Sequence, residues 1–227
     1  MNNRSLSVMN GKDTDVLPIL IELHSSSLNP KILDCTYNKG TMWKGLSYKP
    51  TRMDINPVFD LDVVGDFKNM PFPDKSYDVI VFDPQFLPSD GARGKASKIW
   101  ETTYGITDSP DREGDNVSGL FEPFIKEAKR VLVEDGIILA KMCDIIHNHR
   151  YRWQHIDLIL AAQKEGLTAC DMMIKCDPQA GKLMSSKWQN VRHLRKAHCY
   201  WIVIRNSNRC EIRRENLKSN VDEQAII

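Results

Sequence analysis

Two periodicities of apolar residues alternate along the chain. Leu17, Leu20, Ile21 and Leu23 repeat at helical spacing from about residue 14, with Asp13 or Thr14 as cap and Pro18 tolerated in the first turn. Lys31-Ile32-Leu33-Asp34-Cys35 is then short, apolar and strand-like, and it runs into a loop containing Gly40. Around Trp43 a helix is hard to place, because Gly45 and Pro50 crowd it. A second strand is expected to end near Arg52-Met53-Asp54, and a brief third to lie between Leu61 and Asp66. Tyr77 to Phe82 is a β-branched run that stops at Asp83-Pro84. Helical spacing returns with Phe124, Ile125, Ala128, Val131 and Leu132, and a buried strand follows from Gly136 to Met142. Trp153, Ile156, Ile159 and Leu160 mark another helix that Gly166 can close. The last strands are Leu167 to Lys175 and His198 to Arg205.

Strands that alternate with helices imply right-handed crossovers and a mostly parallel sheet covered on both faces. The final two strands lack an intervening helix, which admits an antiparallel last strand. The 227 residues suit one domain, taken as 14–205 with inserted loops at 87–117 and 177–197. Residues 1–13 are expected to be a flexible N-terminus and 206–227 a polar tail. The loop after Phe86 is long enough to be functional.

Composition narrows the class. Hydrophobic residues at 41% and charged residues at 27% fit a globule rather than a disordered chain. No apolar run reaches the ~18 residues a membrane span needs. Val16 to Ile21 is short and flanked by Asp13, Asp15 and Glu22, so neither a span nor a signal peptide is expected. The six cysteines (Cys35, Cys143, Cys170, Cys176, Cys199, Cys210) contain no Cys-x-x-Cys pair and mostly lie in apolar runs. They are expected to be reduced residues of a cytoplasmic protein without structural zinc. His147 and His149 lie near Asp144, but no further spaced ligands accompany them, and no metal is expected.

Open α/β sheets bind ligands beyond the carboxyl ends of their strands. Here those positions are repeatedly acidic: Asp34, Asp54, Asp66 and Asp83. Carboxylates gathered at one edge repel unless a metal, a cation or hydroxyl and amine donors offset them. The segment from Asp34 to Gly40 lacks Gly-x-Gly-x-x-Gly, which disfavours a dinucleotide. Asp54, twenty residues past Asp34, is placed to accept hydrogen bonds from ribose hydroxyls. With these residues, and with Met70 to Asp83 as lead-in to the fourth strand, the stretch from Ile32 to Arg205 resembles the class I methyltransferases that use S-adenosyl-L-methionine. The resemblance implies a Rossmann-like, mostly parallel seven-stranded sheet with an antiparallel last strand and helices on both faces. It also implies that Asp34, Thr36 and Gly40 line the donor, that Asp54 holds the ribose, and that Asp66 and Phe67 lie near the adenine amine.

Asp83-Pro84-Gln85-Phe86 resembles the Asp/Asn-Pro-Pro-Tyr/Phe motif of methyltransferases acting on planar amines. An exocyclic amine is a poor nucleophile because its lone pair is delocalised into the ring. Acceptors aimed at both its hydrogens rehybridise it and stabilise the charge developing during attack. The resemblance makes Asp83 and the Pro84 carbonyl those acceptors and Phe86 the stacking ring, worth about 1–3 kcal/mol per base. Gln85 replaces the second proline, which costs rigidity but spares both acceptors and the ring.

A near-even balance of 31 basic and 30 acidic residues gives no global pull toward nucleic acid. Locally it is uneven: Lys182, Lys187, Arg192, Arg195 and Lys196 face only Asp177 in the segment before the last strand, beside Trp188. Trp188, Arg192, Arg195 and Lys196 are therefore the expected substrate contacts, DNA favoured and RNA possible. The expected activity is methylation of a nucleobase amine, adenine N6 in DNA by preference. RNA, cytosine N4 or a protein glutamine are alternative acceptors, and a non-catalytic binding subunit is the alternative that Gln85 keeps open.

Overall fold

The strand β5 (Tyr77–Phe82) lies inside the sheet because both its faces are apolar, and only an interior strand buries both. Val79 and Val81 enter one layer of the core while Ile80 and Phe82 enter the other. A computed structural model of the chain describes residues 6–84, 118–147, 150–176, 194, 196–208 and 210. Its other strands are β1 (Val8–Asn10), β2 (Ile32–Asp34), β3 (Thr51–Asp54), β4 (Val63–Val64), β6 (Leu132–Met142), β7 (Ile145–His147), β8 (Arg150–Arg152), β9 (Thr168–Cys176) and β10 (His198–Arg205). The main sheet runs β1-β9-β10-β6-β5-β2-β3-β4, and β7 pairs with β8 as a separate hairpin. β2, β3, β4, β5 and β6 are mutually parallel, and β10 is antiparallel to both β6 and β9.

Helix α1 (Asp13–His24) covers one face, where Val16, Leu17, Leu20 and Ile21 meet Ile32, Val79, Val81, Leu139 and Trp201. Helices α2 (Phe121–Val131) and α3 (Gln154–Lys164) cover the other. There the Phe124 ring stacks on Phe82 at 3.6 Å between centroids and 10° between planes. Between β2 and β3 the chain makes only a single 3-10 turn, Thr41–Trp43, where Gly45 and Pro50 leave no room for a helix.

Three expectations change. The main sheet has eight strands rather than seven, because Val8–Asn10 adds a parallel strand along the outer edge of β9. A three-residue strand has no periodicity to detect, and the hydrogen-bonding edge of β9 recruits it. Residues 8–10 are thus an edge strand rather than part of a loose N-terminus, and α1 begins at Asp13, which puts Pro18 in its second turn rather than its first. Lastly, the cysteines are not all reduced: Cys170 of β9 and Cys210 form a disulfide, with Cα atoms 5.3 Å apart, while Cys35, Cys143, Cys176 and Cys199 are free. Spacing carries no sign of a partner forty residues away. Among the described residues no helix is long and apolar enough to cross a membrane.

Candidate active site

Strands β2, β3 and β5 are parallel neighbours, so Asp34, Asp54 and Asp83 come to the same edge of the sheet. Asp34 is fully buried. Its Oδ1 accepts the Thr36 N–H at 3.0 Å and its Oδ2 the Trp43 indole N–H at 2.6 Å. Burial pushes its carboxyl up to about 7, with Asp83 and Asp54 adding repulsion against those hydrogen bonds. Asp34 therefore acts beneath the loop, holding it, rather than on its surface. Thr36 is the second tie, since its Oγ1 accepts the Asp83 N–H at 2.7 Å and so joins the ends of β2 and β5.

Asp54 accepts the N–H of Asn38 at 2.8 Å and that of Asn56 at 2.9 Å, one on each oxygen, which orients the carboxylate across the loop. Burial raises its pKa against those bonds. Gly40 has a φ of 61°, a left-handed conformation that favours glycine, and a Cβ there would press on the Tyr37 ring. Asp66 lies two residues past β4, with its carboxylate turned to the Lys68 N–H at 2.9 Å and the Lys68 ammonium at 3.4 Å. The Phe67 ring, partly buried, packs edge-on against Phe82 and Phe124, at 5.1 and 6.0 Å.

Behind Asp83 lies a group that the sequence pattern alone does not single out. The Lys141 ammonium, on β6, is 2.9 Å from Asp83 Oδ2 and 3.1 Å from Asp13 Oδ2. Asp13 Oδ1 in turn meets Lys175 at 2.8 Å and the Trp201 indole at 3.1 Å. Asp13 thus caps no helix; its carboxylate is drawn into an ionic chain. Burial raises the Asp83 pKa in spite of Lys141. Burial also opposes the Lys141 charge, yet Asp83 and Asp13 outweigh it and hold the ammonium well above the ordinary lysine range. The signal that could have found it is a lysine inside the apolar run from Gly136 to Met142, since a buried charge needs a partner.

Past β6, an aromatic shelf occupies the same edge. Tyr151 stacks on Trp153 at 4.3 Å, Trp153 meets His155 edge-on at 6.2 Å, and His155 stacks on Tyr200 at 4.3 Å. Buried Asp144, which stands near His147 and His149 in sequence, instead lies 2.7 Å from His155 Nδ1 and fixes that ring. The Lys196 ammonium sits 4.2 Å from the Tyr151 centroid and 5.8 Å from that of Trp153, which is 48% exposed. Pro84 is buried beside Asp83. Gln85, Phe86, Trp188, Arg192 and Arg195, the 87–117 insert, and residues 211–227 of the tail lie outside the described residues.

No protein-family model matches the chain, and neither does any curated protein sequence. Solved structures do match. A proposed sarcosine dimethylglycine methyltransferase from Galdieria sulphuraria aligns at a TM-score of 0.53 and 15% identity, covering 86% of this chain and 85% of that one. An S-adenosylmethionine-dependent methyltransferase from Methanosarcina mazei aligns at 0.51 and 14% identity, covering 85% of this chain and 98% of that one. The chain has the methyltransferase fold. A proposed DNA modification methylase from Thermus thermophilus aligns at 0.41 and 15% identity over 65% of this chain, which spans about half (53%) of that protein. At these identities the likeness is one of fold alone, a mixed and mostly parallel sheet with helices packed on it.

Proposed function

We propose that the chain transfers a methyl group from S-adenosyl-L-methionine to the exocyclic amine of a nucleobase, with adenine N6 in DNA as the favoured acceptor. The observation that carries this reading is Asp83-Pro84 at the end of an interior strand, its carboxylate braced from behind by Lys141. The residues present suit the donor. Asp54 is held by two backbone N–H groups with lone pairs to spare for ribose hydroxyls, and the acidic edge offsets a sulfonium charge. When bound, the donor would supply a methyl group made electrophilic by its sulfonium, the C–S electron pair staying on sulfur as a neutral thioether while the methylated amine sheds its surplus proton to water by way of Asp83. Asp83 accepts one amine hydrogen and the Pro84 carbonyl the other, drawing the lone pair out of conjugation. Phe86 stacks on the ring, and the fixed acceptors supply orientation rather than strong base. A base inside a duplex would have to be flipped out to reach them.

The aromatic shelf and Lys196 favour a flat, anionic polymer over a small aliphatic amine, because rings offer stacking and the ammonium a counter-charge for phosphate. Asp83→Ala is expected to abolish labelling of DNA by a radiolabelled methyl donor, about a hundredfold or more, while donor binding persists. Wild-type protein that binds the donor yet labels neither DNA, RNA nor protein would overturn the reading in favour of a binding subunit.

A further inference from the structure

The buried charges beneath the site form an alternating row across four elements: Asp83 after β5, Lys141 on β6, Asp13 at the start of α1 and Lys175 on β9. A lone surface ion pair contributes little, but these groups are mostly buried, with side-chain exposures of 18% for Asp83, 15% for Lys141, 19% for Asp13 and 13% for Lys175. Two neutral apolar residues would fill the Asp83–Lys141 space at lower desolvation cost, so fold stability alone does not account for the pair. Its geometry is specific. Lys141 occupies Oδ2 of Asp83, and among the described residues Oδ1 takes no hydrogen bond. Lys141 is itself held from the far side by Asp13, whose other oxygen is taken by Lys175 and Trp201.

We infer that Lys141 is a positioning residue for the methyl transfer proposed above: it locks one oxygen of Asp83 and leaves the other as the acceptor for the substrate amine. The inference rests on that functional reading. Without the ammonium, burial would act on this carboxyl unopposed by its nearest cation, pushing its pKa further up and favouring a protonated oxygen, a donor where an acceptor is needed. Asp13 plays a supporting part by fixing the lysine between two carboxylates. Among the described residues, the charged and titratable groups facing Asp83 are Lys141, Lys175, Asp13, Asp34 of β2, and Cys143 just past β6.

The test titrates the Asp83 carboxyl by carbon-13 NMR and measures kcat against pH in wild type, Lys141→Met, Lys141→Arg and Asp13→Asn. In Lys141→Met the Asp83 midpoint should rise by about one unit or more. The acid limb of kcat should move with it, and kcat at neutral pH should fall about a hundredfold with KM for substrate little changed. Lys141→Arg should restore most of the rate. Asp13→Asn releases the far side of Lys141 and should lower kcat about tenfold with KM little changed; if Lys141→Met does not fold, an unchanged kcat in Asp13→Asn overturns the inference. An unmoved midpoint, or a rate loss in Lys141→Met equal at every pH, overturns the inference. Wild type that titrates as described but methylates nothing would show that the functional reading itself has failed, and the positioning role falls with it.

Discussion

Asp34 is buried between two donors and near two other carboxylates, and burial lifts its carboxyl to about 7. An acid whose folded pKa stands above its unfolded value favours folding while protonated. For Asp34 that preference is complete below the ordinary aspartate value of 3.8 and is lost as pH rises through about 7. His24, lowered first by burial against its Asp171 partner, acts with the opposite sign, gaining stability as pH rises toward 6.5. Comparison with Asp34→Asn cancels the histidine. The stability of wild type relative to Asp34→Asn should therefore fall between about pH 4 and 7 and level off above that, at up to about 1.4 kcal/mol per unit. Denaturant melts at several pH values measure it, and a gap that stays constant would mean that Asp34 does not titrate there. None of this is visible in the sequence. Order after successive strands marks Asp34 as a site residue, but its burial depends on Trp43, which local spacing does not connect to it.

At the level of elements, legibility follows length and apolar content. Tyr77–Phe82 and His198–Arg205 are legible at their observed bounds, since long β-branched runs admit one interpretation. Leu132 to Gly136 is harder. The chain leaves α2 directly into β6, and an irregularity opposite Tyr77 to Val79 takes up residues before regular pairing resumes at Ile137. Asp135 has a positive φ of 61° within it, a tertiary accommodation that propensity does not encode. The element that matters most to the site is α2, because Phe124 stacks on Phe82 and Phe82 immediately precedes Asp83. Phe124→Ala should cost about 3–5 kcal/mol in urea unfolding, as expected for a large aromatic removed from a packed core. It should also lower activity in the still-folded population, through looser seating of β5. A loss below about 1 kcal/mol would mean that the two rings do not carry this face of the core.

For the molecule as a whole, a net charge of +1 conceals a division between edges and segments. Carboxylates lie where successive strands end, and several are screened by backbone donors or by Lys141. Cations collect in the segment before β10, of which Lys196 is described, resting on the Tyr151 and Trp153 rings. That lysine sets a cation directly on the aromatic shelf, so one face carries both stacking surface and positive charge. A polyanion bound there would release counterions in proportion to the phosphates neutralised, so log affinity would fall linearly with log salt. Reversing charge at Arg192, Arg195 and Lys196 should weaken binding to a short DNA duplex and reduce that slope by about 0.9 for each phosphate no longer neutralised. Trp153→Ala removes stacking but no charge, and should weaken binding with the slope unchanged. Fluorescence anisotropy across a salt series separates the two effects. If the triple reversal leaves both affinity and slope as they were, the polymer lies elsewhere on the protein, and the basic segment is a solvated loop.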